Sequence, residues 1–167
     1  EKFGKSRFFI CPLSEDMLTG FALGYAINGG FSVLNHARPD FLLLGMNQLI
    51  NMISTYSFST NNKKGAGILI RAVIGRSWGQ GFQHSKSMQS IFSHIPGIHV
   101  IMPTTPKDAK GMIISALNQK NPVVCLEHRL LYFQKGHVPK YEYKIPIGKA
   151  NILKKGNLIL TGAYGFP

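Results

Sequence analysis

Short β-rich runs alternate with stretches of helical spacing along most of this chain. That alternation calls for an α/β domain, a mostly parallel sheet flanked by helices. Strands are predicted over Arg7 to Ile10, Phe31 to Leu34, Gly67 to Val73, Ile98 to Met102 and Val123 to Glu127. Between the first two, Met17, Leu18, Phe21, Ala22, Tyr25 and Ala26 recur at helical spacing, with Ser14 at the N-cap and Asn28-Gly29-Gly30 closing the helix. A second helix is predicted over Phe41 to Ser54, before a turn at Thr60 to Gly65, and another from about Ser87 to His94. In Thr105-Pro106-Lys107-Asp108, Thr105 caps, Pro106 suits the first helical position and Asp108 complements the helix dipole. Met112, Ile113, Ala116 and Leu117 form that helix's predicted buried stripe, and Asn121-Pro122 ends it. Each strand–helix–strand step should cross over right-handedly.

The chain has 167 residues, 44% of them hydrophobic and 16% charged, which supports a sizeable core and argues against disorder. Uninterrupted apolar runs reach only four residues, as in Phe41 to Leu44, so no membrane span is expected. Cys11 and Cys125 lie in apolar segments and are expected to be buried free thiols; two cysteines exclude a disulfide scaffold. Nineteen Lys and Arg against seven Asp and Glu give a formal charge of +12. The basic residues are dispersed, in pairs such as Lys154-Lys155, with no Arg-rich helix and no basic–aromatic run. A specific nucleic-acid surface is therefore not expected, and a solvated surface with a docking face is.

Three segments are expected: an α/β domain over 1–135, a linker over 136–156 containing Pro139, Pro146 and Gly148, and the first strand of a truncated further domain within 157–167. The chain opens on Glu1 without a basic-then-apolar leader, so no signal peptide is read.

Few residues carry chemistry. Glu15 lies in PLSEDMLTGFALG, where a strand meets an apolar helix, the kind of sheet end at which open α/β folds bind ligands. A carboxylate there can exchange protons near neutrality. It can equally offset the helix dipole, a role that Asp16 could also fill. His84 follows the glycine-rich loop Gly75 to Gln83 and is either a proton shuttle or a surface helix cap. The other histidines, His36, His94, His99, His128 and His137, show no paired spacing and read as structural. Gly75, Gly79 and Gly81 match neither a Walker loop nor a dinucleotide fingerprint, and no Gly-x-Ser-x-Gly elbow occurs.

Four stretches carry a resemblance: PLSEDMLTGFALGYAINGG, GILIRAVIG with QHSKS, HIPGIHVIMPTTPKDAKGMIISALNQKNPVVCLEHRLLY, and VPKYEYKIPIGKANILKKG. Together they resemble the beta subunit of thiamine-diphosphate-dependent 2-oxoacid dehydrogenases of the pyruvate, acetoin and branched-chain type, most specifically from His94 to Tyr132. The resemblance implies a transketolase-like pyrimidine-binding domain. It implies that Glu15 hydrogen-bonds N1′ of the aminopyrimidine and so promotes loss of the thiazolium C2 proton. Phe41 matches an aromatic packed against that ring, and Leu44 a neighbouring pocket position. His84 matches the active-site histidine of acyl transfer to lipoamide. A structural potassium ion would be held by the main-chain carbonyls of Ile68, Ala116, Leu117, Gln119 and Asn121. The magnesium-diphosphate motif is absent from this chain and lies, in the family, on an alpha-type subunit. An alpha2-beta2 heterotetramer docked on a lipoyl acyltransferase core, in bacterial cytoplasm or mitochondrial matrix, is thereby implied.

Departures from the family pattern cluster in LNHARPDFLLLGMN, with Asn35 for a glutamate and Ala37 and Arg38 where larger apolar or small residues are common; Lys86 replaces a glutamine. Two other readings stay open on that ground. One is a specialised thiamine-diphosphate carboligase or decarboxylase half. The other is a pyrimidine-binding domain that serves only as an interaction module.

Overall fold

The computed structural model describes residues 3, 4, 6–8, 10–62, 65–76, 79–149, 151, 152, 155 and 156. Four strands form one sheet: β1 (Ser32–His36), β2 (Ile68–Ile74), β3 (His99–Ile101) and β4 (Val123–His128). Their order is β1-β2-β4-β3 and every pairing is parallel. Parallel sheets are covered on both faces, so their central strands are apolar nearly throughout. β2 and β4 show this, and every residue of β4 is buried.

The side-chain alternation of the strands divides the core in two. Ile68, Ile70, Ala72 and Ile74 of β2, with Val124 and Leu126 of β4, face a large cluster that includes Ala22, Leu23, Leu42, Leu49 and Phe92. Leu69, Val123 and Cys125 face the other way, onto Ala116, Met112 and Ile113. Helix α1 (Glu15–Ile27) and the segments that follow β1 therefore cover one face, and helix α5 (Pro106–Leu117) covers the other. Between them in sequence are α2 (Pro39–Leu42), α3 (Tyr56–Ser59) and α4 (Gln89–Ser93).

α5 starts as its sequence demands. The Thr105 hydroxyl accepts the Asp108 N–H at 3.1 Å and donates to the Asp108 carboxylate at 2.7 Å. Its stripe needs one correction: Leu117, expected inside, is exposed, while Gly111 and Ser115 are buried. They are buried because part of the expected linker lies on the helix. Ser115 Oγ donates to the Ile145 carbonyl at 2.6 Å, and the Ile145 N–H donates to Gly111 at 3.3 Å. Lys110 Nζ reaches the carbonyls of Pro139 and Tyr141, and Ile147 packs into the core. A Cβ on Gly111 would stand 2.7 Å from Ile145 Cγ1, so the close approach needs glycine there.

Other expectations are corrected. No strand forms at 7–10 among the described residues; Arg7 is in a turn, and Phe8 and Ile10 are exposed. Cys11 in the same exposed segment is not a buried thiol, whereas Cys125 is, and burial pushes its pKa up to about 12. Ser14 occupies the N-cap position of α1, but its hydroxyl donates to Asp16 instead of accepting a backbone N–H. On α1 the buried side is Thr19, Ala22, Leu23 and Ala26, and Met17, Phe21 and Tyr25 face outward. The helix predicted over 41–54 starts earlier, at Pro39, and changes pitch to a 3-10 turn at Leu43–Gly45 and a π-helical stretch at Gln48–Ile53. The strand expected over 157–161 lies outside the described residues.

Candidate active site

In an open parallel sheet, ligands sit beyond the carboxyl ends of the strands. Here those ends bring together His36 and Arg38 at β1, Val73 and Gly75 at β2, and His128 and Arg129 at β4. A cleft of ≈ 340 Å³ opens there, lined by Arg38, Phe41, Val73, Gln80, His84 and Arg129 among others. Phe41 and His84 meet edge-on, with ring centroids 5.5 Å apart. Two of the residues singled out in the sequence thus share one cavity, although 42 positions intervene between them.

Glu15, the first residue of α1, is half-buried and does not line that cleft. It lies instead over the end of β1, close enough for its charge to act on His36. Burial holds the His36 imidazole below its ordinary pKa, and the Glu15 charge pulls the other way. His36 is 4% exposed, and its Nε2 has no hydrogen-bond partner among the described residues. Of the two acids in the first turn of α1, it is Asp16 that takes the Ser14 hydroxyl. Its pKa is lowered by the Ser14 hydroxyl and the Met17 N–H. The Glu15 carboxylate makes no hydrogen bond among the described residues, while its carbonyl accepts the Thr19 hydroxyl at 2.6 Å. The turn bearing Leu44 packs close to this point: a Cβ on Gly45 would lie 2.6 Å from Thr19 Oγ1. The Leu44 side chain itself is exposed.

The five residues matched to a potassium site occupy the opposite end of the sheet. Ile68 opens β2, one residue before the Leu69–Val123 pairing; Ala116 and Leu117 close α5, and Gln119 and Asn121 lie between it and β4. A helix C-terminus presents unsatisfied carbonyls there, although that of Ala116 already accepts the Gln119 N–H at 3.0 Å. Main-chain oxygen at a helix C-terminus suits a hard monovalent cation. Among the described residues no cluster of His, Cys, Asp or Glu is built to hold a metal.

Sequence reasoning missed several residues of this region. Glu127 is buried and takes both Nε and Nη2 of Arg71, at 2.5 and 2.8 Å, and the Tyr132 hydroxyl at 2.8 Å. Burial alone would raise the Glu127 pKa, but these hydrogen bonds outweigh it and hold the carboxyl below its ordinary value. Burial raises the Tyr132 pKa, with the hydrogen bond to Glu127 adding to it. His128 sits so close over Gly75 (φ +89) that a Cβ there would be 2.2 Å from its Nε2. The one signal in the sequence was that polar Glu127, His128 and Arg129 directly follow the apolar run Val123 to Leu126.

Comparison with known proteins fits this geometry. Residues 1–135 match the family model described as transketolase, pyrimidine binding domain, and the chain belongs to that family. Among curated proteins it is 34% identical over 166 residues to the 2-oxoisovalerate dehydrogenase subunit beta of Bacillus subtilis. It is 36% identical over 166 residues to the pyruvate dehydrogenase E1 component subunit beta of Staphylococcus epidermidis. Both alignments cover 99% of this chain and 51% of the relative, so the chain spans about half the length of the curated relatives it matches. Its fold is shared with a split-gene transketolase solved as an inactive beta4 tetramer. The TM-score is 0.67 at 18% identity, over 86% of this chain and 44% of that one.

Proposed function

We propose that this chain is the pyrimidine-binding part of a beta-type subunit of a thiamine-diphosphate-dependent 2-oxoacid dehydrogenase, active only with an alpha-type partner that holds the diphosphate and its magnesium ion. The observation that carries the reading is the Glu15 carboxylate, which makes no hydrogen bond among the described residues and whose charge acts on buried His36, itself left with an unpaired Nε2. A carboxylate without a hydrogen bond and an unpaired imidazole nitrogen suit an aminopyrimidine, which brings both donors and acceptors. When bound, the cofactor supplies an electron sink for the carbanion left by decarboxylation.

The chain's own residues have distinct tasks. Glu15 holds the proton that is shared with the ring nitrogen. Phe41 offers an apolar wall at the mouth of the cleft. His84 is half-buried against Phe41, so its ring is oriented while one edge stays accessible for proton movement during acyl transfer. Main-chain carbonyls of Ile68, Ala116, Leu117, Gln119 and Asn121 would hold a potassium ion at the far end of the sheet.

The outward line of Met17, Phe21 and Tyr25 on α1 supports a subunit interface, because large apolar groups grouped on one exposed helix face are usually covered by another chain. An alpha2-beta2 heterotetramer served by a lipoyl acyltransferase core is the assembly we propose. No helix among the described residues is long and apolar enough to cross a membrane. Relatives include bacterial and mitochondrial proteins, and the bacterial cytoplasm or the mitochondrial matrix is the proposed location.

The test is Glu15→Gln in the full-length subunit assembled with its partner and cofactor. Exchange of the cofactor's C2 proton, followed by NMR, should fall by about two orders of magnitude or more, the range typical of a lost acid–base group. Assembly should be unchanged. Exchange at the wild-type rate would overturn the assignment.

A further inference from the structure

The carboxyl end of the sheet holds a positive site that the proposed chemistry does not use. Arg38 caps the start of α2 and is 5% exposed. Its Nη2 donates to Gln80 Oε1, and its Nη1 reaches the Val73 carbonyl at 3.5 Å. Arg129, the first residue after β4, donates through Nη1 to the same Gln80 oxygen. Two guanidinium groups thus converge on one neutral amide oxygen. They line the cleft that Phe41 and His84 also line, so the positive end and the reactive end share a cavity of ≈ 340 Å³. That is within the roughly 300–1,000 Å³ usual for small-molecule sites.

Around Arg38 the electrostatics are unbalanced. Burial lowers the Arg38 pKa, and the Arg129 charge lowers it further; Asp40 and Tyr132 act in the opposite sense. Asp40 is itself engaged by Lys86, at 3.1 Å. Among the described residues Arg38 has no carboxylate within ion-pair distance. A buried guanidinium facing only amide and carbonyl oxygen gains from an anion that can take its planar fork. An anion there would take the place of the Gln80 oxygen. Gln80 is exposed, and it stands between Gly79 (φ +63) and Gly81 (φ +73), where a glycine pair tolerates backbone rearrangement.

Which anion follows from the reaction class, and this step rests on the function proposed above. The carboxylate next to the oxo carbon leaves as carbon dioxide. Clamping it between two cations would stabilise the ground state more than the transition state and slow the reaction. A charge that survives decarboxylation carries no such penalty. We propose that Arg38, with Arg129 beside it, binds a second anionic group of the substrate, a carboxylate or phosphate remote from the oxo carbon, and so makes this protein selective for acidic 2-oxoacids over those with apolar acyl groups.

The experiment uses the full-length subunit with its alpha-type partner. In the cofactor-free complex, calorimetry compares glutarate and inorganic phosphate with butyrate; in the loaded complex, turnover compares a 2-oxo diacid and a phosphorylated 2-oxoacid with pyruvate. The expected result is at least tenfold preference for the dianions, with the relative strength of glutarate and phosphate naming the group. Arg38→Met should lower that affinity and the dianion's kcat/KM about 10- to 100-fold, the loss expected for hydrogen bonds to a charged group. Its effect on pyruvate turnover should be at least tenfold smaller than on the dianion, and Arg38→Lys should restore part of the difference. Gln80→Ala, which removes the competing oxygen, should keep or raise dianion affinity and serves where Arg38→Met fails to fold. Equal loss on all substrates, or butyrate binding as well as glutarate, overturns the proposal. Dianion binding through Arg38 without turnover of any 2-oxoacid would instead overturn the functional reading and leave the anion site standing.

Discussion

Helices α1 and α5 cover opposite faces of the same sheet, yet among the described residues only α5 has its outer side met by a further segment of the chain. Its outer side is met by the extended segment from Pro139 to Ile147, which supplies carbonyls to Lys110 and Ser115 and an apolar side chain to the core. α1 buries small residues, Thr19, Ala22 and Ala26, and turns Met17, Phe21 and Tyr25 outward at 53, 65 and 53% exposure. The exposed Ile10 and Leu13 of the preceding segment add to the uncovered apolar surface. Small residues allow a helix to lie close to the sheet, while large exposed ones have value only against another surface. The difference teaches which helix face the described residues cover and which they leave to a further surface.

The comparison can be broken most forcefully at α1. Phe21→Asp should weaken association with partner subunits by at least ~2 kcal/mol, as expected of an aromatic interface anchor, while the thermal midpoint of the isolated subunit changes little. Sedimentation velocity alongside thermal unfolding reads both, and undiminished association would mean that the α1 face is not an interface. On α5 the pattern should reverse. Gly111→Val places a side chain against Ile145 and Tyr143 and should cost roughly 1–3 kcal/mol of stability, the usual range for overpacking. Faster chymotryptic cleavage near Tyr141 and Tyr143 would show the segment lifting, with association unaffected. The smallest effect belongs to Ser115→Ala, which removes one hydrogen bond to Ile145 and should cost about 1 kcal/mol in urea unfolding.

Legibility followed the range of the interactions. β2 and β4 could be read because a strand buried on both faces leaves a continuous apolar run. The start of α5 could be read because its cap is made by residues three apart. Arg7 to Ile10 has the residues of a strand but pairs with no strand among the described residues, and strand propensity without pairing does not make a sheet. The change of pitch after Pro39 left no local mark at all.

The candidate site divides in the same way. Glu15 drew attention as an acid at a strand–helix junction, and His84 as a histidine after a glycine-rich loop. Their roles, and the place of Phe41, came from family resemblance rather than from spacing. Arg38 stood out only as a departure from the pattern. Its meeting with Gln80 and Arg129 joins positions 42 and 49 residues apart, which no local signal links.

By itself the sequence determined which segments are strands buried on both faces and where α5 begins, since those depend on side-chain period and on hydrogen bonds within a few residues. Only the tertiary structure decided which side of α1 stays bare, which acid is left uncommitted at its start, and that two arginines converge beside His84. Burial and electrostatic environment belong to pairs of surfaces, and a single stretch of chain specifies only one member of each pair.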